Sequence, residues 1–205
     1  MTLLFDLLLI SPEQDLKDEI EVLVQLFNHG LTTYHLRKPD WSAEKTQQWI
    51  KQLPKEFHNR VVLHNHFELA KNFELKGIHL NEKNKPNAGQ LSKYKIISAS
   101  FHTLEDLKAN AFPYEYVFLS PIFDSISKAG YKSNFDLKLL AQGLGELKLQ
   151  NSSTPKAIGL GGINALNILA LKSAGFSGAA LVGSVWLSEN PIKAFSEMQA
   201  VIQGN

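Results

Sequence analysis

The segment Ser120-Pro-Ile-Phe-Asp-Ser-Ile-Ser-Lys128 places three hydroxyls and a lysine directly after a short apolar run, Tyr116–Leu119. Hydrogen-bond donors and one positive charge at the end of a buried strand suit a small anion, most simply a phosphate or pyrophosphate. Alone, such a loop reads as a solvated turn with an N-cap serine. Its interest rises because other apolar runs end in similar groups. Thr32–Leu36 delivers His35 and Arg37, and Val61–His64 delivers His64 and Asn65. Ile96–Ala99 leads into Ser100 and His102, and Tyr116–Leu119 into Ser125, Ser127 and Lys128. Lys156–Gly159 ends in Gly159-Leu160-Gly161-Gly162, and Gly178–Val182 in Gly183-Ser184.

Glycines at two such ends, each running into a helical segment, let backbone N–H groups converge on an anion. Arg37 can hold a second anionic group or the same one. His102 is the candidate general acid or base, because an imidazole titrates near neutral pH and moves a proton either way. His35, His64, His66 and His79 fall on the same side of the pattern. His64-Asn65-His66 has the spacing of a barrel metal site, but no carboxylate or lysine at the other ends completes one, so no metal is expected there. His79, inside Gly77-Ile78-His79-Leu80, reads as structural.

The elements that must position these groups alternate along the chain. Eight short apolar runs, the six above with Leu3–Ile10 and Gly77–Leu80, read as strands covered on both faces. Amphipathic windows lie between most of them: Asp15–His29, Ser42–Leu53, Thr103–Ala109, Asn164–Ser173 and Pro191–Gln203. The link Asn81–Lys95 shows no convincing full helix. The pattern predicts a (β/α)8 TIM barrel, residues 1–205 forming a single domain, with chemistry at the C-terminal ends of the strands. In barrels the loops after strands 7 and 8 commonly hold phosphate. A doubly wound open sheet is the competing architecture, but no Gly-x-Gly-x-x-Gly turn follows the first strand.

Composition narrows the function classes. With 21 basic and 20 acidic residues in 205, there is no net field to attract nucleic acid or an anionic membrane. The chain has no cysteine, which excludes disulfides and thiolate metal sites. Its N-terminus lacks a basic leader, and the apolar run is broken by Asp6 and stops at Ser11-Pro12, so a cytoplasmic protein is expected.

In order along the chain, His35-Leu36-Arg37, Val62–Ala70, Gly77–Leu80, Ser98–His102, Ser120–Lys128, Ala157–Ile163 and Gly178–Val185 resemble the thiamine phosphate synthase/TenI family. The resemblance covers essentially the whole chain and implies the same barrel. It also implies two alternative activities. A synthase joins hydroxymethylpyrimidine pyrophosphate to thiazole phosphate with Mg²⁺, whereas a thiazole tautomerase aromatises the thiazole phosphate by proton transfer and needs no metal. The resemblance assigns Ser125, Ser127, Gly161, Gly162, Gly183 and Ser184 to the thiazole phosphate. Lys128, Arg37 and Ser100 would meet pyrophosphate in a synthase.

The departures fall on the other half of the site. A pyrimidine-contacting Gln is replaced by His35, the synthase lysine two positions after the arginine by Pro39 (with Lys38 one position early), an Asn-Asp pair by His64-Asn65, and a second metal-binding Asp by Asn84, with Glu82 the nearest substitute. Both metal carboxylates are thus amides. His102 matches the catalytic histidine of the tautomerase branch, with Ser100 beside it. The expected activity is therefore a thiazole tautomerase with no cofactor, Mg²⁺ entering only if synthase activity is retained. The alternatives are a thiamine phosphate synthase and, in another class, a non-catalytic thiamine-precursor binder. Small molecules are the expected partners, and the reading admits a homodimer.

Overall fold

The computed structural model describes residues 5–83, 85, 91, 93–124, 135–150 and 154–204. Eight strands close into one parallel barrel in chain order: β1 (Asp6–Ile10), β2 (Tyr34–Leu36), β3 (Val61–Leu63), β4 (Gly77–Leu80), β5 (Ile97–Phe101), β6 (Tyr116–Leu119), β7 (Lys156–Leu160) and β8 (Gly178–Leu181). The ring shuts where Asp6–Leu9 pairs with Gly178–Leu181. The helices are α1 (Glu19–Asn28), α2 (Ala43–Gln52), α3 (Glu68–Asn72), α4 (Leu104–Lys108), α5 (Leu137–Gln150), α6 (Ile168–Ser173), α7 (Gly183–Trp186) and α8 (Pro191–Gln203).

The helix boundaries have local causes. The Ser42 hydroxyl accepts from the Lys45 N–H at the start of α2, and Thr103 accepts from the Asp106 N–H at the start of α4. Asn190 caps α8, with Pro191 in its first turn. Three helices, α3, α5 and the single turn α7, lie outside the periodic windows of the sequence. In α5 the pattern is diluted by Gly143 and Gly145. A Cβ on Gly143 would stand 2.0 Å from the Leu104 side chain, so the glycine lets α5 close onto α4.

Most of the core lies between sheet and helices, where Leu9, Leu23, Leu26, Leu63, Ile78 and Phe195 are fully buried. The barrel interior is a separate compartment with two unlike halves. One side is apolar: Leu8 and Ile10 pack with Tyr116, Phe118, Ile158 and Ala180. The other, on β2–β5, carries His35, His64, His79 and Ser98, all buried. No helix among the described residues is long and apolar enough to cross a membrane.

Candidate active site

The polar half of the interior forms the floor of the site. His35 (β2) has no exposed surface; its Nδ1 lies 3.0 Å from His64 Nε2, and its Nε2 lies 2.8 Å from the Tyr116 hydroxyl. His79 (β4) reaches Ser98 Oγ with Nδ1 and Ser100 Oγ with Nε2, both at 2.8 Å. The His64 and His79 rings stack with centroids 4.4 Å apart, and Phe118 closes over His79 from the apolar side at 4.5 Å. The sheet register explains the assembly, since β4 pairs His79 with Ser98 and β5 pairs Ser98 with Tyr116. Burial drives every ring toward neutrality, with His79 lowered to about 3 and His35 and His64 also well below the ordinary imidazole value. Burial likewise pushes the Tyr116 phenol up, while the neighbouring Ser98 hydroxyl works against the rise.

Above this floor stands His102, exposed just beyond β5. Its Nδ1 lies 3.0 Å from the carbonyl oxygen of Ser120, at the end of β6. A carbonyl only accepts, so Nδ1 carries the proton and Nε2 is left as a lone-pair acceptor.

Two strands further round the barrel, the turn after β7 is pressed against the β6 loop. Ile122 N–H donates to the Leu160 carbonyl and Phe123 N–H to that of Gly161. Gly161 and Gly162 take φ of 102° and 62°, which disfavour any side chain. A Cβ on Gly162 would also lie 2.3 Å from the Asp124 carbonyl oxygen. Next to this turn in the barrel, α7 begins with Gly183-Ser184. Among the described residues, the Ser184 hydroxyl is the one buried side-chain polar atom with no hydrogen-bond partner. A buried hydroxyl without a partner is costly, and an anion would satisfy it. The β6-loop residues that the sequence adds to this side, Ser125, Ser127 and Lys128, lie outside the described residues, as does Asn84.

Several groups stand elsewhere than the sequence suggests. His35 is not a wall residue awaiting substrate; it lies beneath the mouth with both ring nitrogens engaged. His66 leaves the histidine group, taking φ 52° and bonding the Trp41 carbonyl through Nε2 at 2.8 Å. His79 is a central member of the floor. Its neighbours show the signal that could have found it, because histidines and serines in otherwise apolar strands must satisfy one another once buried. Arg37 is half exposed, pairs with Glu13, and has its backbone pinned from both sides by the Ser11 hydroxyl.

One ring nitrogen from each of His35, His64 and His79 lies within 4.8 Å of the others, a spacing that brings a metal to mind. The hydrogen bonding argues otherwise, since His79 spends both nitrogens on serines and its near-parallel stacking on His64 turns the two rings away from a shared point. The residues matching a Mg²⁺–pyrophosphate centre fit it poorly. Asn65 brings an uncharged amide, and Glu82 is committed to Lys85 at 2.6 Å. Lys38 is drawn to the outside of the barrel, where its Nζ donates to Glu19 at 2.7 Å and to the Gln14 carbonyl.

A closed eight-stranded barrel with polar groups gathered at the C-terminal strand ends defines a TIM-barrel enzyme. The chain belongs to the thiamine monophosphate synthase (TMP-TENI) family, whose family model matches residues 7–185. It is 28% identical over 195 residues to the thiamine-phosphate synthase of Vibrio parahaemolyticus, covering 91% of this chain and 92% of the relative. A crystal structure of thiamine phosphate pyrophosphorylase from Bacteroides thetaiotaomicron superposes with a TM-score of 0.79 at 30% identity, covering 97% of this chain and 98% of the other. The thiamine phosphate pyrophosphorylase of Pyrococcus furiosus shares the fold, with a TM-score of 0.80 at 21% identity over 98% and 96% of the two chains.

Proposed function

We propose that this protein aromatises a thiazole phosphate by proton transfer, with His102 as the group that removes one proton and returns another. The observation that carries the reading is the Ser120 carbonyl on His102 Nδ1, which fixes the tautomer and leaves Nε2 as a base at the mouth. The phosphate of the ligand is held by the Gly161-Gly162 turn and the Gly183-Ser184 segment, where the Ser184 hydroxyl lacks a partner. Arg37 and Ser100 border the same mouth from β2 and β5. Such a step needs a held phosphate and a proton carrier and nothing more.

The names of the relatives favour a second reading, thiamine phosphate synthesis from hydroxymethylpyrimidine pyrophosphate and thiazole phosphate. Displacement of pyrophosphate asks for charge to meet the leaving group, and this chain has amides at Asn65 and Asn84 and has diverted Lys38 to Glu19. Two assays on the purified protein separate the readings: thiazole aromatisation in EDTA, and thiamine phosphate formation with Mg²⁺. Turnover in the first and little in the second is expected. Efficient synthesis with Mg²⁺, and none of the aromatisation, would reverse the assignment.

A further inference from the structure

Tyr116 opens β6 and is buried in the barrel interior. Among the described residues its hydroxyl bonds His35 Nε2, at 2.8 Å. The neighbouring Ser98 hydroxyl is turned to the Ile78 carbonyl and to His79 instead. A buried O–H without an acceptor costs more than an unused lone pair, so the phenol donates and His35 Nε2 accepts. Burial keeps the His35 ring neutral, which leaves its single proton on Nδ1. That Nδ1–H faces His64 Nε2 across 3.0 Å and donates to it. His64 is held neutral for the same reason, so its own proton also sits on Nδ1. Two bonds thus carry the choice of tautomer from the Tyr116 phenol to the residue that follows β3. There His64 is 9% exposed, and its Nδ1–H has no acceptor among the described residues.

We infer that His64 is a second catalytic residue, a neutral imidazole whose fixed Nδ1–H donates to the thiazole atom where negative charge gathers as His102 takes a proton. The two histidines share one mouth. His64 stacks on His79 with centroids 4.4 Å apart, and His79 Nε2 meets Ser100, two residues before His102. In the first step the bond to the departing proton breaks, and that proton forms an N–H bond at His102 Nε2. The electron pair left behind moves into the conjugated ring, and the His64 N–H stabilises it by a hydrogen bond without giving up its proton. In the second step His102 returns a proton at a different atom, and His102 is neutral again. No electron is gained or lost overall. A donor held in place before the reaction costs no reorganisation when the charge appears, and a neutral one needs no counter-charge in a buried floor.

The assignment rests on the proton-transfer reading and adds to it the group that answers His102 from β3. Tyr116 and His35 touch no substrate. They are positioning residues, and what they position is the proton of His64.

Imidazole ¹⁵N spectra near neutral pH should show His35 and His64 both as the Nδ1–H tautomer, and added thiazole phosphate should shift the His64 Nδ1–H resonance. His64→Phe keeps a ring against His79 and removes the donor. Its kcat for aromatisation should fall about 10²–10³-fold, with the affinity for thiazole phosphate unchanged. Tyr116→Phe deletes only the anchoring hydroxyl and serves if His64→Phe does not fold. It should release His64 into a mixture of tautomers and lower kcat with KM unchanged. An Nε2–H tautomer at His64 in the wild type overturns the assignment, as does wild-type kcat in His64→Phe. A His64 tautomer that Tyr116→Phe leaves unmoved overturns the role of the phenol. If the wild type does not aromatise thiazole phosphate, the reaction assignment fails, and the titration alone decides whether His64 donates to the ligand.

Discussion

The Nδ1–H of His102 donates to the carbonyl oxygen of Ser120 across 3.0 Å, joining the end of β5 to the end of β6. The bond resolves which imidazole nitrogen is basic, and it does so through a backbone group that substitution at Ser120 cannot remove. Removing the base while leaving the phosphate cradle intact separates catalysis from binding. His102→Ala should lower aromatisation about 10²–10⁴-fold with the affinity for thiazole phosphate, read by calorimetry, unchanged. Parallel loss of affinity would show that His102 holds the ligand instead.

Ser184 offers a cleaner probe of the phosphate cradle. Its hydroxyl is buried without a partner, so Ser184→Ala relieves an unsatisfied group and should leave the urea midpoint unchanged or slightly raised. The same change deletes a donor to an anion, worth about 1.5–3 kcal/mol, so thiazole phosphate affinity should drop about tenfold or more. Unchanged affinity would place the phosphate elsewhere.

The Lys38–Glu19 pair supports the fold and not the ligand. Lys38 and Glu19 side chains are only 2% and 3% exposed, and Tyr34 donates to the second oxygen of Glu19 at 2.7 Å. Burial raises the Glu19 carboxyl even so, with Lys38 and Tyr34 opposing the rise. Lys38→Met strands a buried carboxylate and should destabilise by about 3–5 kcal/mol in urea unfolding, with ligand affinity unaltered. A specific loss of pyrophosphate binding would restore Lys38 to the synthase role.

The floor also sets a pH dependence of stability. Above 6.5 a His79 ring is neutral in both the folded and unfolded chain. Between 6.5 and about 3 only the unfolded chain accepts the proton, so stability drains as pH falls. One ring gives a slope of about 1.4 kcal/mol per pH unit, and His35 and His64, shifted the same way, steepen it. Tm measured against pH should fall across this window, and His79→Gln should flatten the acid limb. An unaltered limb in the variant would mean that the ring titrates freely.

Much of this architecture is legible in the chain because strands buried on both faces must be apolar and short, and helix caps such as Ser42, Thr103 and Asn190 mark their boundaries. The glycine turn at Gly161-Gly162 and the position of His102 at the mouth follow from residue type at a strand end. The floor is harder to read. His35, His79, Ser98 and Tyr116 sit on four strands, and only the barrel register brings them into contact. The outward turn of Lys38 is likewise a tertiary event, driven by a buried Glu19 that no local pattern marks. Helix α5 was obscured because Gly143 serves a close approach to Leu104 rather than helix propensity.

The division of the barrel interior constrains how this chain can change over time. On the apolar side, Leu8, Ile158 or Ala180 can be exchanged for a residue of similar bulk with a local adjustment. On the opposite side, His35 and His79 each answer two others, so exchanging His35 alone leaves Tyr116 and His64 unanswered at once. Substitutions there are coupled rather than additive. Drift on that side therefore proceeds by concerted replacement, and lineages that part company at one of these positions should part at several.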